Sequence, residues 1–180
     1  YSGSGTAQAT EIISAAGTAS MGVWHHLVVV NDGTTLHFYV DGAEVQSGVS
    51  VGGSVPGASG GTCIGARADG NFLWAGTADE FAIYPSALSP ADVAAHYANG
   101  NNAGRTTPYE TLVGSSSPVA YYRLDDPAFV APTVANSGSL GPVANGNYSV
   151  TGVSVGTAGP PFSGLGVGNV ACGFIGTGQI

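Results

Sequence analysis

Three groups of side chains here are of types that do chemistry. They are the adjacent carboxylates Asp79–Glu80 and Asp125–Asp126, the histidines His25, His26 and His37, and the two cysteines Cys63 and Cys172. Retaining hydrolysis of a glycosidic bond needs two carboxyl groups about 5 Å apart, converging on one site. Neighbours along a strand point to opposite faces, so neither acidic pair has that arrangement, and catalysis is not expected. Glu80 reads instead as a buried or edge carboxylate paired with an arginine, and Arg123 is the partner if their two strands meet. The same alternation keeps His25 and His26 from chelating one ion together. His37 could face one of them across a hairpin, but rings packed on Trp24 or Tyr39 are the favoured reading. Cys63 and Cys172 either join as one disulfide, closing a loop of about 110 residues worth roughly 4–5 kcal/mol, or stay two buried thiols.

The elements that would hold these groups are short strands. Of 180 residues, 30 are glycine and 10 proline, and 43% are hydrophobic, which points to many turns around a substantial core rather than a helical bundle. Residues 23–30 are apolar on both faces, as in a strand buried between two layers. Residues 35–40 alternate, with Leu36, Phe38 and Val40 on one face and His37 and Tyr39 on the other. Asp41 and Gly42 then supply a hairpin turn into residues 43–46. Strands are expected at 62–67, 71–74, 78–84, 119–124 and 148–155. One short helix is expected near residues 89–98, with Ser89 as N-cap, Pro90 first, Asp92 in the first turn, Leu88 and Val93 as a staple and Gly100 as the stop.

Three arginines and no lysine stand against 11 carboxylates, a net charge of -8. Such a chain lacks the cationic surface on which nucleic-acid binding depends, and it lacks a polybasic membrane contact. No run approaches the roughly 18 apolar residues that a membrane span needs.

Motifs in order carry a resemblance. Trp24–His25–His26–Leu27, Phe38 to Gly42, Cys63–Ile64–Gly65, Trp74 to Glu80, Ile83–Tyr84 and Ala87–Leu88–Ser89 with the helix to Tyr97 cover roughly residues 20–99. Together they are similar to the LamG-like, concanavalin A-like family of bacterial secreted and phage virion proteins. The resemblance implies an all-β fold, an antiparallel jelly-roll β-sandwich. Pro118 to Asp125 resembles the opening strand of the same family, and Asn136–Ser137–Gly138 and Gly159–Pro160 fit the segment after it. The chain therefore reads as residues 1–100, the later part of one LamG-like sandwich, a linker at 101–108, and residues 109–180, the opening part of a second. That order suits a window on a tandem repeat. The alternative is a permuted single domain in which the last part completes the first, marked by contact between the strands near 121–124 and 81–84. Half a sandwich leaves an unpaired edge, so neither part should be stable alone.

The family also implies ligands. Its members often bind calcium at a loop rim, and Asp32, Asp69, Asn71 and Asp125 lie in expected loops that could supply oxygens. Glycans stack on exposed rings, for which Phe72, Trp74 and Tyr109 are the candidates by loop position, although Trp74 also suits a core place. The function implied is non-enzymatic: an extracellular recognition or assembly module. It would belong to a larger surface protein or phage virion (tail, fibre or decoration) and contact host-surface glycans or neighbouring copies of itself. A carbohydrate-binding module appended to a secreted hydrolase and a purely structural filament or capsid sandwich are the alternatives.

Overall fold

Val28, Val30 and Tyr39 are spaced to place apolar side chains on one face of a hairpin, and that hairpin forms. The computed structural model describes residues 15–49, 63–66, 73–128, 133–149, 151–165 and 168–176. Strands β1 (Leu27–Asn31), β2 (Thr35–Val40) and β3 (Ala43–Val49) make an antiparallel meander, with Val29 opposite Phe38 and Phe38 opposite Gln46. Asp41 and Gly42 take positive φ, 53° and 79°, as the tight turn requires. Val28, Val30 and Tyr39 pack with Leu88 and Val93. The run at 23–30 is not buried on both sides, however. Leu27 and Val29 are 49% and 69% exposed, because Val93 and Leu88 cover only the face that carries Val28 and Val30.

Val93 belongs to helix α1 (Pro90–Gly100). Ser89 Oγ accepts from the Asp92 N–H at 3.2 Å and Asp92 Oδ2 accepts from the Ser89 N–H at 3.0 Å, a capping box that satisfies two otherwise orphan donors. Val93 is fully buried, a contribution of about 1.5–3 kcal/mol.

A second helix, α2 (Tyr109–Ser115), stands where only one helix was expected. Its Tyr109 and Val113 are four residues apart and both buried, so one apolar stripe holds it. The strand expected over 78–84 forms only as β5 (Phe81–Ile83), and β4 (Ala75–Ala78) precedes it in the gap after the strand expected at 71–74. They part at Asp79–Glu80, where Glu80 takes a φ of 54°. Residues 64–66 bend rather than pair, and 67–72 lie outside the described residues. The late strands are β6 (Ala120–Tyr122), β7 (Thr133–Val134), β8 (Gly146–Asn147), β9 (Val153–Ala158) and β10 (Val170–Ile175). The expected strand at 148–155 thus begins only at Val153.

Among the described residues the chain is mostly β, with four small antiparallel sheets and two α-helices. Besides the meander these are β4–β10–β9, β5–β6 and β7–β8. Pairing spans the middle of the chain: Phe81 lies opposite Tyr122 and Ile83 opposite Ala120, while Ala78 lies opposite Cys172. The main core does the same. Ile64, Leu124, Val134, Tyr148, Cys172 and Phe174 form it, with Ala78 and Phe81 packed against them. No described helix is long and apolar enough to cross a membrane.

Candidate functional site

Trp74 leads into β4, and two residues on, along the same face, stands Gly76. A Cβ at Gly76 would meet the indole Nε1 at 2.8 Å and two ring carbons at 3.1 and 3.2 Å, so the ring lies against its own strand over a residue that leaves room for it. The Trp74 N–H donates to the Gly65 carbonyl at 2.7 Å, fixing the entry of the strand. Half of Trp74 stays open to solvent (50% exposed), and Leu73 and Ile175, the cross-strand partner of Ala75, are exposed as well. An indole fixed in this way is a large, preorganised apolar surface with a polar edge. It is suited to receive the C–H face of a sugar ring.

At the other end of β4 lies an acidic corner. The Asn169 amide donates to Asp79 Oδ2 at 2.8 Å. The Tyr121 hydroxyl donates to Glu80 Oε2, and Arg123 Nε and Nη2 donate to Glu80 Oε1, both at 3.3 Å. Burial pushes the Asp79 carboxyl up to about 7, even against the Asn169 bond. It raises Glu80 too, which Tyr121 and Arg123 pull back toward the charged form. The arginine expected opposite Glu80 is therefore in place. These two carboxyls are thus held by separate partners, Asp79 by Asn169 and Glu80 by Tyr121 and Arg123.

The other candidates are scattered. Tyr109 is not on a loop: it is 8% exposed in α2, packed with Val113 and Tyr121, and burial pushes its phenol well above the ordinary range. A ring sealed there has no face for a ligand. Cys63 and Cys172 are free thiols, so the disulfide is not formed. Cys172 packs in the core, and burial, with Asp126 and Asp79 nearby, pushes its thiol up to about 12, which keeps it protonated and unreactive. Phe72, Asp69 and Asn71 lie outside the described residues.

Asp32 Oδ1 accepts from the Thr34 N–H, the Thr34 hydroxyl and the Thr35 N–H at 2.7, 2.8 and 2.6 Å. Those bonds hold its carboxyl well below the usual range and spend it on the β1–β2 turn. Asp125 Oδ2 pairs with Arg123 Nη1 at 3.3 Å. Among the described residues no three His, Cys, Asp or Glu side chains gather so as to hold a metal, and Asp32 and Asp125 are engaged separately. The histidines stand apart also: His25 Nδ1 meets Asp41 Oδ2 at 2.8 Å, His26 lies beside the Tyr97 ring, and His37 meets Glu44 Oε1 at 2.9 Å.

Asn169 and Tyr121 carry no local signal in the sequence and were not foreseen. The glycine two residues after Trp74 is such a signal, since it marks where a ring can lie down on a strand.

Residues 1–94 match the family described as the concanavalin A-like lectin/glucanases superfamily. A solved structure, an S-layer domain-containing protein (residues 221–444) from Clostridium thermocellum, is 24% identical over 43% of this chain and 41% of that one, with a TM-score of 0.37. The chain thus spans about two-fifths of that structure's length. No curated protein matches.

Proposed function

This chain belongs to the concanavalin A-like lectin/glucanases superfamily, and from that membership we propose that it is a non-enzymatic glycan-recognition module of an extracellular or virion-surface protein. The fold we assign it is the family's antiparallel jelly-roll sandwich. The observation that carries the reading is Trp74, half exposed and laid over Gly76. A preorganised aromatic loses little conformational freedom when a ligand stacks on it, so more of the contact energy appears as affinity. The acidic corner supports a role without catalysis: its two carboxyls are engaged by Asn169, Tyr121 and Arg123. The sparse charge, with three cations in the whole chain, suits a neutral polymer better than a polyanion, which the net charge of -8 would repel.

Affinity electrophoresis through gels containing soluble bacterial polysaccharides tests the reading. At least one polysaccharide is expected to retard the intact chain, and Trp74→Ala is expected to weaken that retardation about tenfold, the loss of roughly 1.4 kcal/mol, with the far-UV spectrum unchanged. Retardation that survives Trp74→Ala, or release of new reducing ends from the polysaccharide, would count against it.

A further inference from the structure

Asp79 stands where β4 closes on β10. Ala78, the last residue of β4, lies opposite Cys172, and the Asn169 amide that donates to Asp79 Oδ2 belongs to the turn leading into β10. The Asn169 carbonyl also accepts from the Gly159 N–H at 3.0 Å, so this one contact ties together the ends of β4, β9 and β10. The other oxygen, Asp79 Oδ1, is buried without a hydrogen-bond partner among the described residues. Around the carboxyl are Glu80 beside it, Asp125 from beyond β6, Cys172 from β10 and Tyr109 from α2. The nearby cation, Arg123, is engaged by Glu80 and Asp125. Among the described residues Asp79 is thus placed beside neutral and negative groups, with no cation paired to it.

We propose that Asp79 is a proton-operated latch: protonated, it holds β4 against the β9–β10 hairpin, and ionised, it releases that join. A neutral carboxyl keeps the Asn169 bond and adds no charge to the corner. An ionised one buries an uncompensated charge, which burial makes costly and which Glu80 and Asp125 repel. Burial is the main reason that its carboxyl is pushed up to about 7. That lies above the ordinary value of 3.8, so the latch is fully engaged below about pH 4 and its contribution is lost as the pH rises through about 7. The device does not depend on Trp74 binding a sugar.

Cys172 reports the state of the join, since it is 0% exposed beside Asp79 in the closed pairing. In the full-length chain, a thiol-directed reagent is followed by peptide mass at Cys172, with Cys63 as internal control, in the wild type and in Asp79→Asn. Taking the ratio of wild type to variant cancels the intrinsic ionisation of the thiol. The ratio is expected to rise about fivefold or more between about pH 5 and about pH 8, as local opening exposes the strand. A ratio that stays flat overturns the latch. If Asp79→Asn does not fold, Asp125→Asn serves instead. Removing that negative neighbour relieves part of the repulsion on the ionised carboxyl, so opening at about pH 8 is expected to fall below the wild type's, and opening that is unchanged or greater overturns the proposal.

Discussion

Glu80 is held at a φ of 54° with its side chain 7% exposed, and its partners lie 41 and 43 residues away, on Tyr121 and Arg123. Its own N–H donates to the Arg123 carbonyl at 3.1 Å, so backbone and side chain are pinned by the same strand end. Removing one partner of a buried ion pair leaves the other charge uncompensated, which is more damaging than losing the bond itself. The Arg123 side chain is 37% exposed, so solvent screens part of this loss. Arg123→Met is expected to destabilise the chain by about 1–2 kcal/mol, short of the 3–5 kcal/mol of a fully buried pair. Urea unfolding of Arg123→Met, Glu80→Gln and the double variant measures the coupling, and strictly additive losses would contradict it. This pairing was legible in the sequence because Arg123 is one of three cations among 11 carboxylates. Tyr121 and Asn169 were not, since neutral partners are selected by tertiary geometry rather than by charge.

Helix α1 shows which elements local chemistry writes plainly. Ser89, Pro90 and Asp92 are a start signal that acts within four residues, and the capping box forms as read. Ser89→Ala is expected to lower stability by about 1 kcal/mol, read as a shift of the urea midpoint with an unchanged slope; no shift would mean that packing of Val93 alone holds the helix. Strand β2 was equally plain, since the alternation over Thr35–Val40 and the Asp41–Gly42 turn need no distant partner. Helix α2 was not, because it is seven residues long, has no side-chain N-cap and includes Gly114. Helices that short are marginal in isolation, so the burial of Tyr109 and Val113 decides it. The break of β4 from β5 was hidden for a related reason: two adjacent carboxyls turn inward only because Asn169, Tyr121 and Arg123 arrive from elsewhere.

For the molecule as a whole, one place where acid acts is the join of α1 and the meander. His26 Nδ1 is buried without a hydrogen-bond partner among the described residues, and its ring lies 6.2 Å from that of Tyr97 in α1. Burial first, then the neighbouring His96, lowers its pKa to about 4, although Asp41 pulls the other way. His96 is lowered as well, mainly by burial. A histidine depressed below its ordinary 6.5 gives stability that is fully present above that value and is lost as the pH falls through about 4. His26→Phe is therefore expected to reduce the drop in Tm between about pH 7 and about pH 4, and a drop as large as the wild type's would refute the assignment. Strand order carries a further consequence, this time for the newly made chain. Ala75–Ala78 is completed by Val170–Ile175, and Phe81–Ile83 by Ala120–Tyr122. During synthesis Phe81–Ile83 must wait, unpaired, for Ala120–Tyr122, and Ala75–Ala78 must wait longer, for Val170–Ile175. Such distant pairings are slow to find, so the chain stays open, with strand edges uncovered, for longer than a locally folded protein would.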